Sequence, residues 1–337
     1  MHKENKTIAV ACAFQKGAPK DALGADYCMR SVKEALLSKG FQAGEFYINK
    51  EDFDNISLFK NKLKDLECNC VFNLFEGFFD DSQKEIEFAK LLEEMEMPFT
   101  GNSSETLKIC LNKAMSRQVF HKNNLSVPKG VFIHSECGLE EMPFEPPFFI
   151  KPCFEDASVG IEKDALVRDK GCLLEITRKK LEKFPRGLLI EEFIYGKEYN
   201  VGFLGNYPYE LLGVSLIDYN KYPEILPFLT HSSKWDEDSS AYKELIPVYD
   251  AKIDEAINEE IIDIARQAGK LLGCRGYFRV DLREKDSKLY ILDVNPNPDI
   301  NRDSGLTRQA YLKDYSYSDF IENILTQAQK TKALIHG

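Results

Sequence analysis

Tyr277-Phe278-Arg279-Val280-Asp281-Leu282 and, after a polar turn at 284–288, Leu289-Tyr290-Ile291-Leu292-Asp293-Val294-Asn295 are the runs that decide the fold. Side chains on a strand alternate between its two faces. Arg279 and Asp281 therefore share one face of the first run, and Asp293 and Asn295 share one face of the second. The short turn makes the pair an antiparallel hairpin. In simple register Asp281, Asp293 and Asn295 converge. Two carboxylates and an amide oxygen form a hard-oxygen set suited to Mg²⁺. The alternative is a hairpin whose polar face simply meets water.

Upstream, Phe148-Phe149-Ile150 is a short apolar strand ending in Lys151 and Pro152. A lysine at the end of a buried strand can aim a point charge at a phosphate, or simply escape the core. Glu155-Asp156-Ala157-Ser158-Val159-Gly160 follows, a small-residue loop whose N–H groups can approach phosphate oxygens. Residues 188–194 read as a strand, Gly196 as a tight turn and 197–204 as a further strand, with 210–217 its antiparallel neighbour. Such a strand edge can offer backbone groups to a flat base, or be no more than an acidic hairpin. Residues 219–247 are too long for a plain connection and suggest a lid. The longest helix candidate is 254–272, with Ile261, Ile264, Ala265, Ala268 and Leu272 on its apolar stripe.

The first hundred residues alternate strands (7–14, 41–48, 70–74) with helices (25–38, 58–66, 83–95), the pattern of a covered parallel sheet. A helix is expected at 107–121, a strand at 127–134 and a helix at 173–184, stopped by Pro185 and Gly187.

The chain has 337 residues, room for two or three domains. It carries 44 Lys and Arg against 55 Asp and Glu, a net charge of -11 that argues against a nucleic-acid or anionic-membrane partner. No apolar run approaches the ~20 residues of a membrane helix, and 8–14 lacks a signal-peptide pattern. Nine cysteines without any Cys-x-x-Cys pair favour reduced thiols in a cytoplasmic protein over a zinc site.

Taken in order, these segments resemble the ATP-grasp superfamily, and within it the D-alanine–D-alanine ligase family. The resemblance spans nearly the whole chain. It rests on Val71-Phe72-Asn73-Leu74-Phe75-Glu76-Gly77, Met97-Pro98-Phe99-Thr100-Gly101-Asn102, Asn112-Lys113, and above all Arg279-Val280-Asp281 with Asp293-Val294-Asn295. It implies a mixed α/β and α+β architecture in three parts. These are an N-terminal parallel-sheet domain (1–100), a central ATP-grasp subdomain (101–187) and a C-terminal subdomain with the metal site and lid (188–337).

The resemblance also implies roles. Lys113 and Lys151 would contact ATP phosphates, with Ser158 in the loop that covers them. Glu192, Phe193 and Ile194 would border the adenine, Glu191 would sit beside it, and Glu198 would bind the ribose. Lys234 would be the lid lysine near the γ-phosphate. Asp281, Asp293 and Asn295 would hold two Mg²⁺ ions, with Mn²⁺ as a substitute. Arg279 would stabilise the tetrahedral intermediate and the acyl phosphate, and Ser304 would approach the second substrate's carboxylate. A homodimer is usual in the family.

The departures fall on the substrate side. Phe14-Gln15-Lys16-Gly17-Ala18-Pro19 replaces the family's Gly/Ser-rich opening loop and its glutamate. Glu76 stands where the family has histidine, Ala157 where it has serine, Asp293 where it has glutamate, and Asp299 where it has glycine. Asp299, Arg302 and Asp303 add charge near the expected acceptor pocket, suggesting a polar or charged amine. The function expected is an ATP- and Mg²⁺-dependent carboxylate–amine ligase working through an acyl phosphate, with altered amino-acid specificity. The alternatives are D-alanine–D-alanine ligase itself, capture of the acyl phosphate by a hydroxyl or thiol, and an ATP-binding protein without ligase activity.

Overall fold

Three sheets organise the molecule in a computed structural model that describes residues 7–14, 22–221, 225–230 and 247–335. The first is parallel, built from β1 (Thr7–Ala13), β2 (Gln42–Ile48) and β3 (Cys70–Asn73) in the order β2-β1-β3. Helices α1 (Ala22–Ser38), α2 (Ile56–Lys64) and α3 (Gln83–Glu94) connect and cover it. The central strand is apolar on both faces because both are covered. Ile8, Val10 and Cys12 pack with Met29, Val32 and Leu36 of α1, whereas Ala9 and Ala11 pack with Phe59 of α2 and Phe88 of α3.

The single helix expected at 107–121 is two helices, α4 (Ser104–Leu111) and α5 (Lys113–Lys122). Asn112 has extended backbone angles and accepts the Met115 N–H on its side chain, ending one helix and capping the next. The break makes Lys113 the first residue of α5.

The middle sheet is antiparallel, in the order β4-β7-β5-β6, from β4 (Gly130–Ile133), β5 (Phe148–Pro152), β6 (Leu166–Val167) and β7 (Leu188–Glu192), with α6 (Leu173–Lys183) between the last two in sequence. The third, also antiparallel, runs β11-β10-β8-β9, from β8 (Lys197–Leu204), β9 (Glu210–Ile217), β10 (Tyr277–Lys285) and β11 (Lys288–Asn295). The strand–turn–strand expected at 188–204 is thus not a hairpin. β7 pairs with β4 and β5, and β8 pairs with β9 and β10 in a different sheet. The chain changes sheets between Glu192 and Lys197.

Helix α7 (Glu255–Leu271) lays Ile261, Ala265 and Ala268 against Phe278 and Val280 of β10. Gly269 permits the approach, since a Cβ there would lie 2.3 Å from the Phe278 ring. After α8 (Gly305–Tyr311), helix α9 (Tyr317–Ile335) returns to the parallel sheet, where Phe320, Ile321 and Ile324 complete the first core. Among the described residues no helix is long and apolar enough to cross a membrane.

Candidate active site

The β10–β11 register aligns Asp281 with Asp293 and Arg279 with Asn295, as simple pairing requires, and slips beyond Asp281, so that Leu282 faces Ile291. Asp281 is the hub. Arg279 grips it with Nε to Oδ1 at 2.7 Å and Nη2 to Oδ2 at 2.9 Å. Asn200 Nδ2 adds a bond to Oδ1 at 2.9 Å and Asn295 Nδ2 one to Oδ2 at 3.0 Å. Burial weakens the Arg279 cation, but the Asp281 carboxylate more than offsets this and raises its pKa.

Lys113 faces this hairpin from the start of α5. Its Nζ lies 3.1 Å from Asp293 Oδ2 and donates to the Glu155 carbonyl at 2.6 Å. Burial pulls its pKa down, and Asp293 more than restores it, so the ammonium stays charged. Lys151, at the end of β5, pairs with Glu191 at 2.7 Å, and Arg117 of α5 binds the other Glu191 oxygen. All three are largely buried. Glu191 is thus the anion between two cations on neighbouring elements.

Lys113, Lys151, Glu191, Asp281, Asp293 and Asn295 line one cleft of about 910 Å³ between the middle and third sheets, together with the 155–158 loop. Ala157 and Ser158 both have left-handed backbones, φ 46° and 65°. That conformation is strained for residues with a Cβ and is retained where the surroundings impose it. At the far end Phe149, Phe193 and Phe228 form an aromatic wall, with ring centroids 5.1–6.0 Å apart. The Glu192 and Phe193 N–H groups already bond to the Lys129 and Pro147 carbonyls. The backbone contact expected at 192–194 therefore narrows to carbonyls and the Ile194 N–H. Glu198 also lines the cleft, held by Arg283 Nη2 at 2.5 Å and the Tyr219 hydroxyl at 3.0 Å. Arg283 lies over both the Phe193 and Tyr219 rings, 5.1 Å from each centroid. Its Nε is buried and has no partner among the described residues.

The oxygen set at Asp281, Asp293 and Asn295 fits a hard divalent cation, provided Arg279 and Lys113 yield the carboxylates they now hold. No cluster of three or more His, Cys, Asp or Glu arranged for a metal exists among the described residues.

The expected substrate residues divide. Glu76 and Asp299 line a second cavity, between the parallel sheet and the 297–301 loop. Arg302 and Ser304 line neither cavity. Arg302 sits over the Tyr317 ring, 3.4 Å from Glu34, and Ser304 caps α8 by accepting the Thr307 N–H at 3.4 Å. Lys234 and most of the expected lid lie outside the described residues. Arg117, Arg283 and Phe228 were not anticipated. Arg283 alternates in phase with Arg279 and Asp281 on β10, and that period was the available signal.

A family model described as "D-ala D-ala ligase C-terminus" matches residues 132–326. A D-alanine–D-alanine ligase of Pelagibacter ubique is 28% identical over 305 residues, covering 89% of this chain and 91% of its own. An uncharacterized protein of Sinorhizobium fredii is 27% identical over 265 residues, covering 77% and 74%. The crystal structure of D-alanine–D-alanine ligase from Bacillus anthracis complexed with ATP superposes with a TM-score of 0.75 at 17% identity, covering 98% of this chain and 99% of that one.

Proposed function

The chain belongs to the D-ala D-ala ligase C-terminus family and has the ATP-grasp fold, and from that premise we propose that it is an ATP-dependent carboxylate–amine ligase. The observation that carries the reading is the joint placement of Lys113, Lys151, Asp281, Asp293 and Asn295 around one cleft with an aromatic far end. On this reading the aromatic wall takes the adenine, Glu198 the ribose, and Lys113, Lys151 and the Ser158 loop the phosphates. The units near 1–100, 101–187 and 188–337 act together, with β7 completing the middle sheet and α9 returning to the first.

A carboxylate is a poor electrophile until it attacks the γ-phosphoryl group, releasing ADP and forming an acyl phosphate. An amine then displaces phosphate. Lys113 and Lys151 offset the charge of the transferring group. Arg279, freed from Asp281, stabilises the oxyanion of the tetrahedral intermediate. Asp281, Asp293 and Asn295 would hold Mg²⁺ or Mn²⁺, which supplies further charge neutralisation when bound. Lys234 and the 219–247 segment would close over the acyl phosphate and exclude water.

The rewritten substrate side, with Glu76, Ala157 and Asp299, supports an amino-acid specificity other than D-alanine with D-alanine. A second reading, D-alanine–D-alanine ligase itself, is favoured by the relative of that name. A cytoplasmic homodimer is the assembly either reading implies. The test is ADP release from Mg-ATP against single and paired amino acids of both enantiomers, with mass detection of products and D293A as control. Dipeptide from D-alanine alone establishes the second reading, and another amide product the first. ATP binding without ADP release for any pair removes both.

A further inference from the structure

Glu198 and Arg283 are direct cross-strand partners in the β8–β10 register, and Tyr219 follows the end of β9, the neighbour on the other side of β8. Side chains opposite each other on an antiparallel pair stand close enough to meet. Here two donors converge on one carboxylate oxygen. Arg283 Nη2 lies 2.5 Å from Glu198 Oε2, and the Tyr219 hydroxyl donates to the same atom at 3.0 Å. A carboxylate oxygen has two lone pairs, so Oε2 is saturated. Oε1 differs. It has no hydrogen-bond partner among the described residues, yet it is not sealed from water as the Arg283 Nε is. Glu198 lines the nucleotide cleft, so this open oxygen is the one a ligand meets.

The clamp on Oε2 is itself held. Arg283 Nη1 donates to the Ile194 carbonyl at 3.0 Å, in the segment where the chain crosses from β7 to β8. The guanidinium lies over the Phe193 and Tyr219 rings, 5.1 Å from each centroid. Two acceptors and two rings fix the plane of its fork, which a flexible ammonium would not share. Burial, then the Glu198 charge, raises the Tyr219 pKa, so the phenol keeps the proton it donates. Arg283 therefore ties the backbone strip expected beside the base to the carboxylate expected beside the sugar.

A ribose offers two vicinal hydroxyl donors. A carboxylate with both oxygens free can take them one on each, whereas Glu198 has one oxygen left. We propose that Arg283 and Tyr219 are positioning residues that commit Glu198 Oε2 and present Oε1 alone, so that the site reads the nucleotide sugar through a single hydroxyl. This deepens the nucleotide half of the ligase reading and rests on it.

The test separates sugar recognition from turnover. Full-length protein with Mg²⁺ and no amino acid is titrated by calorimetry with ATP, 2′-deoxy-ATP, 3′-deoxy-ATP and 2′,3′-dideoxy-ATP. One monodeoxy nucleotide should bind about 10- to 100-fold more weakly than ATP and as weakly as the dideoxy compound, the range of one hydrogen bond to a charged group. The other should stay within about twofold of ATP. Equal losses for the two monodeoxy nucleotides, or no loss for either, overturn the proposal. Arg283→Met should bind ATP about tenfold more weakly and bring the two monodeoxy nucleotides within about twofold of each other. A purely structural role for Arg283 would weaken all four nucleotides alike and keep their ratios, which also overturns the proposal. Tyr219→Phe removes one donor and little volume, and decides the matter if Arg283→Met does not fold. It should shrink the ratio of the two monodeoxy affinities about threefold, and an unchanged ratio counts against the clamp. ADP release with the amino-acid panel is followed in parallel. Single-hydroxyl discrimination without ADP release removes the ligase reading and keeps the clamp. ADP release without that discrimination does the reverse, and failure to bind ATP removes both.

Discussion

Glu85 is a carboxyl buried on α3 with Asn297 Nδ2 3.0 Å from its Oε1. Burial, then the charge of Asp156, pushes its pKa up to about 8 from an ordinary 4.5. The folded state therefore holds a proton that the unfolded chain has released between those values. Its contribution to stability falls as pH rises from about 4.5 to about 8 and then levels off. Glu85→Gln keeps the acceptor for Asn297 and abolishes this slope. Calorimetry should find its Tm above the parent's by a few degrees at pH 8.5 and close to it at pH 4.5, with a stability gain on the order of a few kcal/mol. A Tm gain that is the same at both values would mean that Glu85 is charged when folded. Arg283 gives a second test at this scale. Its guanidinium bonds Glu198 and the Ile194 carbonyl and leaves a buried Nε without a partner among the described residues. Lysine keeps the charge and loses the planar fork. Arg283→Lys should raise the KM for ATP about tenfold, read from initial rates, with a smaller effect on the amino-acid KM.

Elements meet at Glu191, where β7 places one carboxylate between Lys151 of β5 and Arg117 of α5. Removing it strands two cations in a largely buried site, so Glu191→Ala should cost about 3–5 kcal/mol in urea unfolding. A loss below 1 kcal/mol would show that water reaches those cations. At the β10–β11 turn, Asp286 and Ser287 both take left-handed angles, φ 51° and 58°, in a two-residue connection. Glycine adopts them without strain, so Ser287→Gly should stabilise by roughly 1 kcal/mol. The hairpin face was legible in the sequence because alternation alone sets which side chains share it. So was the parallel sheet, from its repeated strand–helix pattern. The partner of β7 was not, since chain proximity to β8 says nothing about which sheet a strand joins. The Asn112 break was missed because the helical spacing continues through it, and only the side-chain cap reveals it. The cap at Ser304 was missed for a related reason, since a helix-capping serine and a ligand-binding serine look alike in sequence.

Across the whole molecule the cleft is a seam between the middle and third sheets. Opposite charges face each other across it: Lys113 and Lys151 come from α5 and β5, and the carboxylates of Asp281 and Asp293 from β10 and β11. The Lys113–Asp293 pair and the contact of Lys151 Nζ with the Leu292 carbonyl at 3.4 Å join the two sides. A ligand gripping both sides must stabilise the folded state by mass action, about 2.7 kcal/mol at a hundredfold excess over its Kd. On the proposed ligase reading the lysines take the phosphates and the carboxylates the metal, so each half of the seam should be separately removable. Thermal unfolding with Mg-ATP should raise Tm by several degrees. Asp281→Asn should lose the part of that shift that EDTA also removes, and Lys151→Ala should lose the part that survives EDTA. If EDTA leaves the shift intact in the parent protein, the β10–β11 oxygen set does not hold the nucleotide's metal.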